Sequence, residues 1–436
     1  MITTAFIKIW GQLVGAVAWD ANTGIGSFEY DSKFENLGWD LSPLKMPLSS
    51  KNNIYYFPEL RQNRNSEFDT FKGLPGLLAD SLPDKYGNQL INVWLAQNGR
   101  PQNSMNPIET LCFIGTRGMG ALEFEPTHFK ENKNTFNIEI QSLVDIAQKM
   151  LSKRENFAIN LKHDEEKAMM EILKIGTSAG GARPKAVIAY NEKTGQVKSG
   201  QTRVPKGFEH WLIKLDGVSD VQLGYTKGYG RVEMAYYLMA TDCGIDMMPS
   251  KLLEENGRAH FMTKRFDREG ADTKYHVQTW CSMQHLDFNQ VTSFSYEQLF
   301  QCMRELKLTY PEAEQLYRRM VFNVLARNCD DHTKNFAFVL KQAGKWELSP
   351  AYDICHAYRP NSEWVSQHAL SINGKRKGIT KEDLLSVAKS MNIKKANIII
   401  DEINEIVVNW EVYAKKVYVD AKKRNAIAKT LINLKN

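Results

Sequence analysis

The sequence predicts an α+β protein of two lobes, a β-containing N-terminal lobe followed by an all-helical C-terminal lobe. Two observations carry that expectation. Short runs rich in β-branched and aromatic residues crowd the first 270 positions, and apolar residues at helical spacing, with recognisable caps, dominate beyond 295. A chain of 436 residues and 49.9 kDa also exceeds what one hydrophobic core usually holds.

The elements follow in order. Residues 5–20 alternate apolar and polar around Gly11 and Gly15, and IYYFP follows at 54–58, which suggests a small sheet. Residues 76–99 read as one helix, with Leu77, Leu78, Leu82, Leu90, Val93 and Leu95 near helical spacing and Asn98-Gly99 as its stop. Strand signals return in KAVIAY from 185 and HWLIKL at 210–215, the second a continuous apolar run of the kind a buried strand shows. A helix at about 231–243 closes at Gly244. SKLLEE (250–255) and AHFMTKRF (259–266) then flank Asn256-Gly257, a strong hairpin signal. YEQLFQCMRELK and the run from Pro311 to Arg327 are helical, Pro311 standing where a first helical turn tolerates it. A short β insertion spans 336–348, and a long helical tail runs from about 380 to the end.

Composition bounds the function only loosely. Hydrophobic residues make up 43% and charged residues 24%, which excludes wholesale disorder and fibrous repeats. A net charge of +6 permits an anionic partner without requiring one. The six cysteines are at least 21 residues apart, so there is no CxxC pair to clip zinc, and they read as buried thiols of a reducing compartment. No signal peptide or run of 18 apolar residues is visible, so the expectation is a cytoplasmic protein with no membrane partner.

The densest polar cluster is Asn328-Cys329-Asp330-Asp331-His332-Thr333-Lys334-Asn335, directly after a strong helix and before the apolar strand FAFVL. A further carboxylate, Asp353, follows the next strand in Ser349-Pro350-Ala351-Tyr352-Asp353. Phosphoryl transfer needs one carboxylate to orient a hydroxyl, and an Asn and a second Asp as hard oxygen ligands for magnesium. In protein kinases the base Asp and the metal Asn stand five residues apart on one loop, as Asp330 and Asn335 do here. A lone Asp-x4-Asn is equally what an Asx turn provides, and Asp353 is what tilts the balance. A zinc site at Asp330, Asp331 and His332 is disfavoured, because adjacent side chains diverge.

Residues 176–185, GTSAGGARPK, are rich in small residues and run into KAVIAY, so their backbone N–H groups could approach an anion. The segment matches neither Walker A nor GxGxxG, and alone it is a plain flexible turn. Lys214, set among Trp211, Leu212, Ile213 and Leu215, must either snorkel to water or meet a negative partner. Bound phosphates and Glu233, on the following helix, are the natural partners, with an edge-strand surface lysine as the alternative.

These residues together resemble the HipA-type serine/threonine kinases, the toxin halves of bacterial type II toxin–antitoxin pairs. The resemblance runs from IKIWGQLVGAVAWD through GTRGMGALEFEP, SAGGARPK, WLIKL, FMTKRFDR and NCDDHTKN to SPAYD. It implies a two-lobed protein-kinase-like fold: a HipA-type module over 1–125, the ATP-binding remainder of the N-lobe over 126–270, and a helical catalytic lobe over 271–436. It implies ATP and Mg²⁺ as cofactors, Asp330 as catalytic base, Asn335 and Asp353 as magnesium ligands, and Lys214, with Glu233 as its ion-pair partner, on ATP. His332 is implied to lie against the nucleotide. Gly180, Gly181, Ala182, Arg183, Pro184 and Lys185 are implied to form the phosphate loop, and Lys264-Arg265-Phe266 a hinge whose backbone reads adenine. Ser178 matches the family's autophosphorylated serine. Arg183-Pro184 departs from the more polar pair of the family, and Pro184 fixes φ and removes an N–H.

The implied function is transfer of phosphate to a Ser or Thr of a protein such as an aminoacyl-tRNA synthetase, arresting growth. The implied partners are a HipB-like helix-turn-helix antitoxin and, through it, operator DNA. The contrasting possibility is a catalytically silent scaffold that serves its antitoxin as corepressor. The lysines of the C-terminal tail, among them Lys415, Lys416, Lys422 and Lys423, suggest a solvated helix face before a phosphate contact.

Overall fold

The computed structural model describes residues 2–48, 54–63, 69–127, 137–152, 183–200, 203–218 and 227–434. The chain divides into two compact units. One comprises 1–227, 253–277 and 341–344; the other comprises 228–252, 278–340 and 345–436.

In the first unit, strands β1 (Thr4–Ile9), β2 (Gln12–Asp20), β3 (Ile25–Tyr30), β4 (Ile54–Tyr55) and β5 (Glu123–Glu125) form an antiparallel sheet in the order β4-β3-β2-β1-β5. The alternation seen in the sequence becomes one buried face, with Ile7, Ile9 and Val17 fully covered while Phe6 faces outward. Gly15 is required there: a Cβ at this position would stand 2.0 Å from the Glu29 carbonyl across the ladder.

The helix expected over 76–99 is two elements, a single turn at Gly76–Ala79 and a helix at Lys85–Gln97. The break lies at Pro83-Asp84. Proline disfavours helical backbone before it, and the Asp84 carboxylate caps the new helix by accepting from Gly87 N at 2.8 Å.

A second sheet in this unit has the order β7-β6-β8-β10-β9, where β6 is Lys185–Tyr190, β7 Val197–Ser199, β8 Glu209–Lys214, β9 Ser250–Glu255 and β10 Arg258–Lys264. Asn256 and Gly257 turn the β9–β10 hairpin with φ of 45° and 73°, as a primed turn demands. Val187, Ile188, Trp211, Ile213 and Met262 pack with Tyr86 and Leu90 and with Leu143, Val144 and Ala147 of the helix Ile140–Ser152.

Below this sheet lies a buried ionic cluster that composition does not reveal. Asp267 accepts from Arg265 Nη2 and Arg268 Nη1, each at 2.7 Å, and from Gly120 N at 2.7 Å. Arg268 also donates to the Gly118 and Gly120 carbonyls, both at 2.9 Å. The GTRGMG and RFDR segments are thereby locked together. Burial alone would raise the Asp267 carboxyl, but the two guanidiniums hold it well below the usual range.

The second unit is mainly helical: Tyr229–Asp242, Tyr296–Glu305, Tyr310–Leu325, Lys381–Met391, Ala396–Val408, Trp410–Lys416 and Ala421–Ala428. Ser295 and Gln298 form a capping box at the second of these, and the Glu312 carboxylate accepts from Thr309 N at 2.7 Å at the third. The β insertion is an antiparallel pair, Ala337–Leu340 with Trp346–Leu348. The tail expected as one long helix is four: Asn392 and Lys395, with φ of 62° and 56°, break it between Met391 and Ala396, and Tyr418, with φ 58°, breaks it after Lys416, all in the left-handed region where no helix continues, while Asn409 at φ −86° and ψ 16° separates the middle two. All six cysteines are thiols, five of them buried and Cys355 half-buried. Among the described residues no helix is long and apolar enough to cross a membrane.

Candidate active site

The helix Tyr310–Leu325 ends at Ala326, and Arg327, at φ 56°, turns the chain into the polar loop. Two neighbouring aspartates then have opposite fates. The Asp330 side chain is 51% exposed, whereas that of Asp331 is wholly buried. Asn335 Nδ2 donates to the Asp330 carbonyl at 2.6 Å. With its nitrogen so engaged, the amide presents Oδ1 as an acceptor. His332 Nε2 stands 3.7 Å from Asp330 Oδ1, and its buried Nδ1 has no hydrogen-bond partner among the described residues.

Asp353 follows the short strand Trp346–Leu348 and adopts φ 55°. A non-glycine residue in the left-handed region is the kind of outlier that functional sites retain. Its segment is fixed on both sides: the buried Arg319 donates from Nη2 to the Ser349 carbonyl at 2.6 Å, and Ala351 N donates to the Asp246 carbonyl at 2.8 Å. The Tyr352 hydroxyl donates to the Lys334 carbonyl at 2.7 Å, tying the Asp353 segment to the Asp330 loop. The structure thus brings Asp330, His332, Asn335 and the Asp353 segment together.

The loop's foundation went unread in the sequence. Asp331 accepts from the Tyr296 hydroxyl at 2.9 Å, from His368 Nδ1 at 2.9 Å and from Ala369 N at 2.8 Å. Behind it, Asn323 Nδ2 donates to the Tyr296 hydroxyl at 3.0 Å, and Asn328 Nδ2 to Asn323 Oδ1 at 2.9 Å. Burial alone would depress the His368 imidazolium, but the Asp331 carboxylate pushes it up to about 10. No spacing rule links 331 to 368, so only the polarity of the loop hinted at this anchor.

The remaining site residues are placed as follows. The register sets Lys214 of β8 directly opposite Lys185 of β6 and Phe261 of β10, with Lys214 Nζ 5.9 Å from the Phe261 ring centroid. Adjacent lysines on one sheet face suit an anion with several charges. Pro184 costs the ladder nothing, since its carbonyl accepts from Leu215 N at 2.9 Å. Glu233 is buried on Tyr229–Asp242 in the second unit, whereas Lys214 belongs to the first.

In the hinge segment, Arg265 N donates to the His210 carbonyl at 2.9 Å, and the Arg265 side chain is buried on Asp267. The Lys264 main chain lies in the β10–β8 ladder opposite Trp211, and its ammonium pairs with Glu209. Ser178, Gly180, Gly181 and Ala182 lie outside the described residues, and Arg183 begins the next described stretch.

The donor set suits magnesium and nucleotide. Asn335 Oδ1 and the Asp353 carboxylate are hard oxygen ligands, and the unpartnered His332 Nδ1 is a polar group fitted to a ligand. Among the described residues no group of three or more His, Cys, Asp or Glu side chains could hold a metal alone, and an ion shared with phosphate oxygens needs no such cage.

The fold is of the α+β class, built from two compact units. The model of the HipA-like C-terminal domain matches residues 177–410, more than half of the chain, and that of the HipA N-terminal domain matches residues 5–125. The chain belongs to the HipA family. A protein of Sinorhizobium fredii named "Putative kinase Y4dM" is 24% identical over 292 residues, covering 61% of this chain and 67% of that protein. The HipA of Shewanella oneidensis MR-1, solved with HipB and its operator DNA, superposes with a TM-score of 0.64. Its identity is 16%, over 98% of this chain and 94% of that one.

Proposed function

We propose that this protein is an ATP- and Mg²⁺-dependent serine/threonine kinase that acts as a growth-arresting toxin on a translation-related protein such as an aminoacyl-tRNA synthetase. The observation that carries the reading is the division of labour on one loop: Asp330 is turned to solvent while Asp331 is buried as its anchor, and Asn335 is rotated to offer an oxygen. A structural Asx turn explains the Asn335 contact but leaves an exposed carboxylate, an offered amide oxygen and a strained Asp353 without a use.

Bound Mg-ATP supplies the phosphoryl group. Asp330 accepts the proton of the acceptor hydroxyl and aims its oxygen; Asn335 and Asp353 provide ligands for the metal; Lys214, beside Lys185, takes the phosphates; and His332 lies against the nucleotide. From the Shewanella relative, solved with HipB and its operator DNA, we carry over a HipB-like antitoxin and operator DNA as partners.

Incubating the purified chain with γ-labelled ATP, Mg²⁺ and host lysate tests the reading: label should pass to Ser or Thr of a protein of translation. Failure of Mg²⁺-dependent labelling, with DNA and antitoxin binding intact, would leave the silent scaffold in its place. Lys214→Ala should weaken nucleotide binding by about 1.5–3 kcal/mol, the worth of a charge-assisted contact, with the apo protein's Tm unchanged. A large fall in apo Tm at unaltered nucleotide affinity would make this lysine structural instead.

Ser178 is the expected site of self-phosphorylation. A dianion there would repel ATP, so the modified protein should be inactive. Intact-mass comparison of wild type with Asp330→Gln after incubation with Mg-ATP should show one added phosphate, mapped to Ser178, in the wild type alone; phosphate at another residue removes the switch.

A further inference from the structure

We infer that His368 is a positioning residue of this site: one imidazole, touching the residues on either side of Asp330, holds that carboxylate facing the reacting hydroxyl. The inference rests on the reading of Asp330 as the base. Among the described residues Asp330 makes no side-chain hydrogen bond that could aim it, His332 Nε2 standing 3.7 Å from its Oδ1. Its direction must therefore come from the backbone. His368 Nδ1 donates to Asp331 Oδ2 at 2.9 Å, and His368 Nε2 lies 3.8 Å from Cys329 Sγ. Residues 329 and 331 are both buried, on the side of the loop that faces His368. With both neighbours turned inward onto His368, the Asp330 side chain between them is turned out to solvent.

Two further contacts complete the clamp. Ala369 N holds the other Asp331 oxygen at 2.8 Å, and Cys329 N donates to the Ala357 carbonyl at 3.0 Å. The chain that leaves Asp353 is thus pinned on the Asp330 loop at 357 and again at 368–369. The candidate base and the candidate metal-ligand segment share one support.

The groups facing the imidazole are the Asp331 carboxylate, the Cys329 thiol, the Tyr296 hydroxyl on the same carboxylate, and the Arg376 guanidinium, which donates to the Ala369 carbonyl beside it. A buried ion pair is a costly way to gain stability, since well-packed apolar residues do as well. What it adds is one fixed geometry, which is what aiming a base requires.

The test uses the full chain with His368→Ala, His368→Gln and Asp331→Asn. It measures amide hydrogen exchange over 328–336, nucleotide affinity, and kcat for Mg-ATP-dependent transfer. His368→Ala should speed exchange in the loop at least tenfold and cut kcat about tenfold to a hundredfold, with nucleotide affinity within twofold. His368→Gln, which keeps a donor to Asp331, should recover part of both losses. If His368→Ala does not fold, His368→Gln and Asp331→Asn decide by the same measurements.

Unchanged exchange and unchanged kcat overturn the proposal; parallel loss of nucleotide binding and Tm without a kcat effect reduces His368 to a fold residue and also overturns it. Should the wild type transfer no phosphate, the kinase reading fails while loop exchange still judges the clamp. The pair also predicts a pH signature. Its folded-state pKa is raised, so its contribution is complete below the unfolded value of about 6.5. The stability gap between wild type and His368→Gln should therefore close as pH rises towards about 10. A gap independent of pH removes the charged pair.

Discussion

Asp330→Asn should abolish measurable phosphoryl transfer while leaving the protein folded. The carboxylate is about half exposed and, among the described residues, makes no hydrogen bond through its side chain, so replacing it by an amide of equal size removes no packing; exposed substitutions of this kind usually stay within about 0.5 kcal/mol. On the proposed reading, what would be lost is the acceptor for the hydroxyl proton, a contribution typically worth about 10²–10⁴ in rate. Asp353→Asn should be comparably damaging by a different route, weakening the hold on magnesium, so that raised Mg²⁺ partly restores it. The check is transfer of label from γ-labelled ATP, alongside thermal unfolding. Undiminished transfer by Asp330→Asn would remove the base from this position.

Asp267→Ala should have the largest effect on stability. It strands the Arg265 and Arg268 guanidiniums in a site where all three side chains are essentially solvent-free. Breaking a buried pair by removing one partner costs about 3–5 kcal/mol, because the remaining charge has no compensation. Replacing all three together by apolar residues of similar size should be far milder, since the uncompensated charge is then absent. The Asp267 carboxyl is held low in the folded state, so its contribution is present above the ordinary carboxylate pKa and is lost only as pH falls below it. Chemical denaturation near pH 7 followed by tryptophan fluorescence reads the loss; a change below about 1 kcal/mol would show that the cluster is solvated in solution.

Local signals carried much of this molecule. Asn256-Gly257 announces a hairpin because a primed turn needs positive φ at both positions, and the alternation over 5–20 announces two strands because the side-chain period of a strand is two. The helix over 310–325 was legible from its apolar spacing and from Pro311 at its start. In each case the residues that decide the conformation lie within a few positions of one another.

The errors share one cause as well. The regions 76–99 and 380–436 look continuous to a pattern of apolar spacing, yet Asp84 caps a new helix, Asn392 and Tyr418 stop others in left-handed backbone, and Lys395, also left-handed, opens the next. Apolar periodicity reports the buried face and is blind to a single turned residue.

For the site, the sequence alone determined the residue types: an Asp and an Asn five apart, an Asp beyond the next strand, and a lysine in an apolar strand. Only the tertiary structure decided which of two adjacent aspartates faces solvent, which nitrogen orients Asn335, and that Asp267 is shared by two arginines. The pairs responsible, Asp331 with His368 and Gly120 with Asp267, are 37 and 147 residues apart. Such contacts depend on where whole elements pack, and burial then makes their partners obligatory, because a charge removed from water must find its counterion and its hydrogen bonds in the protein.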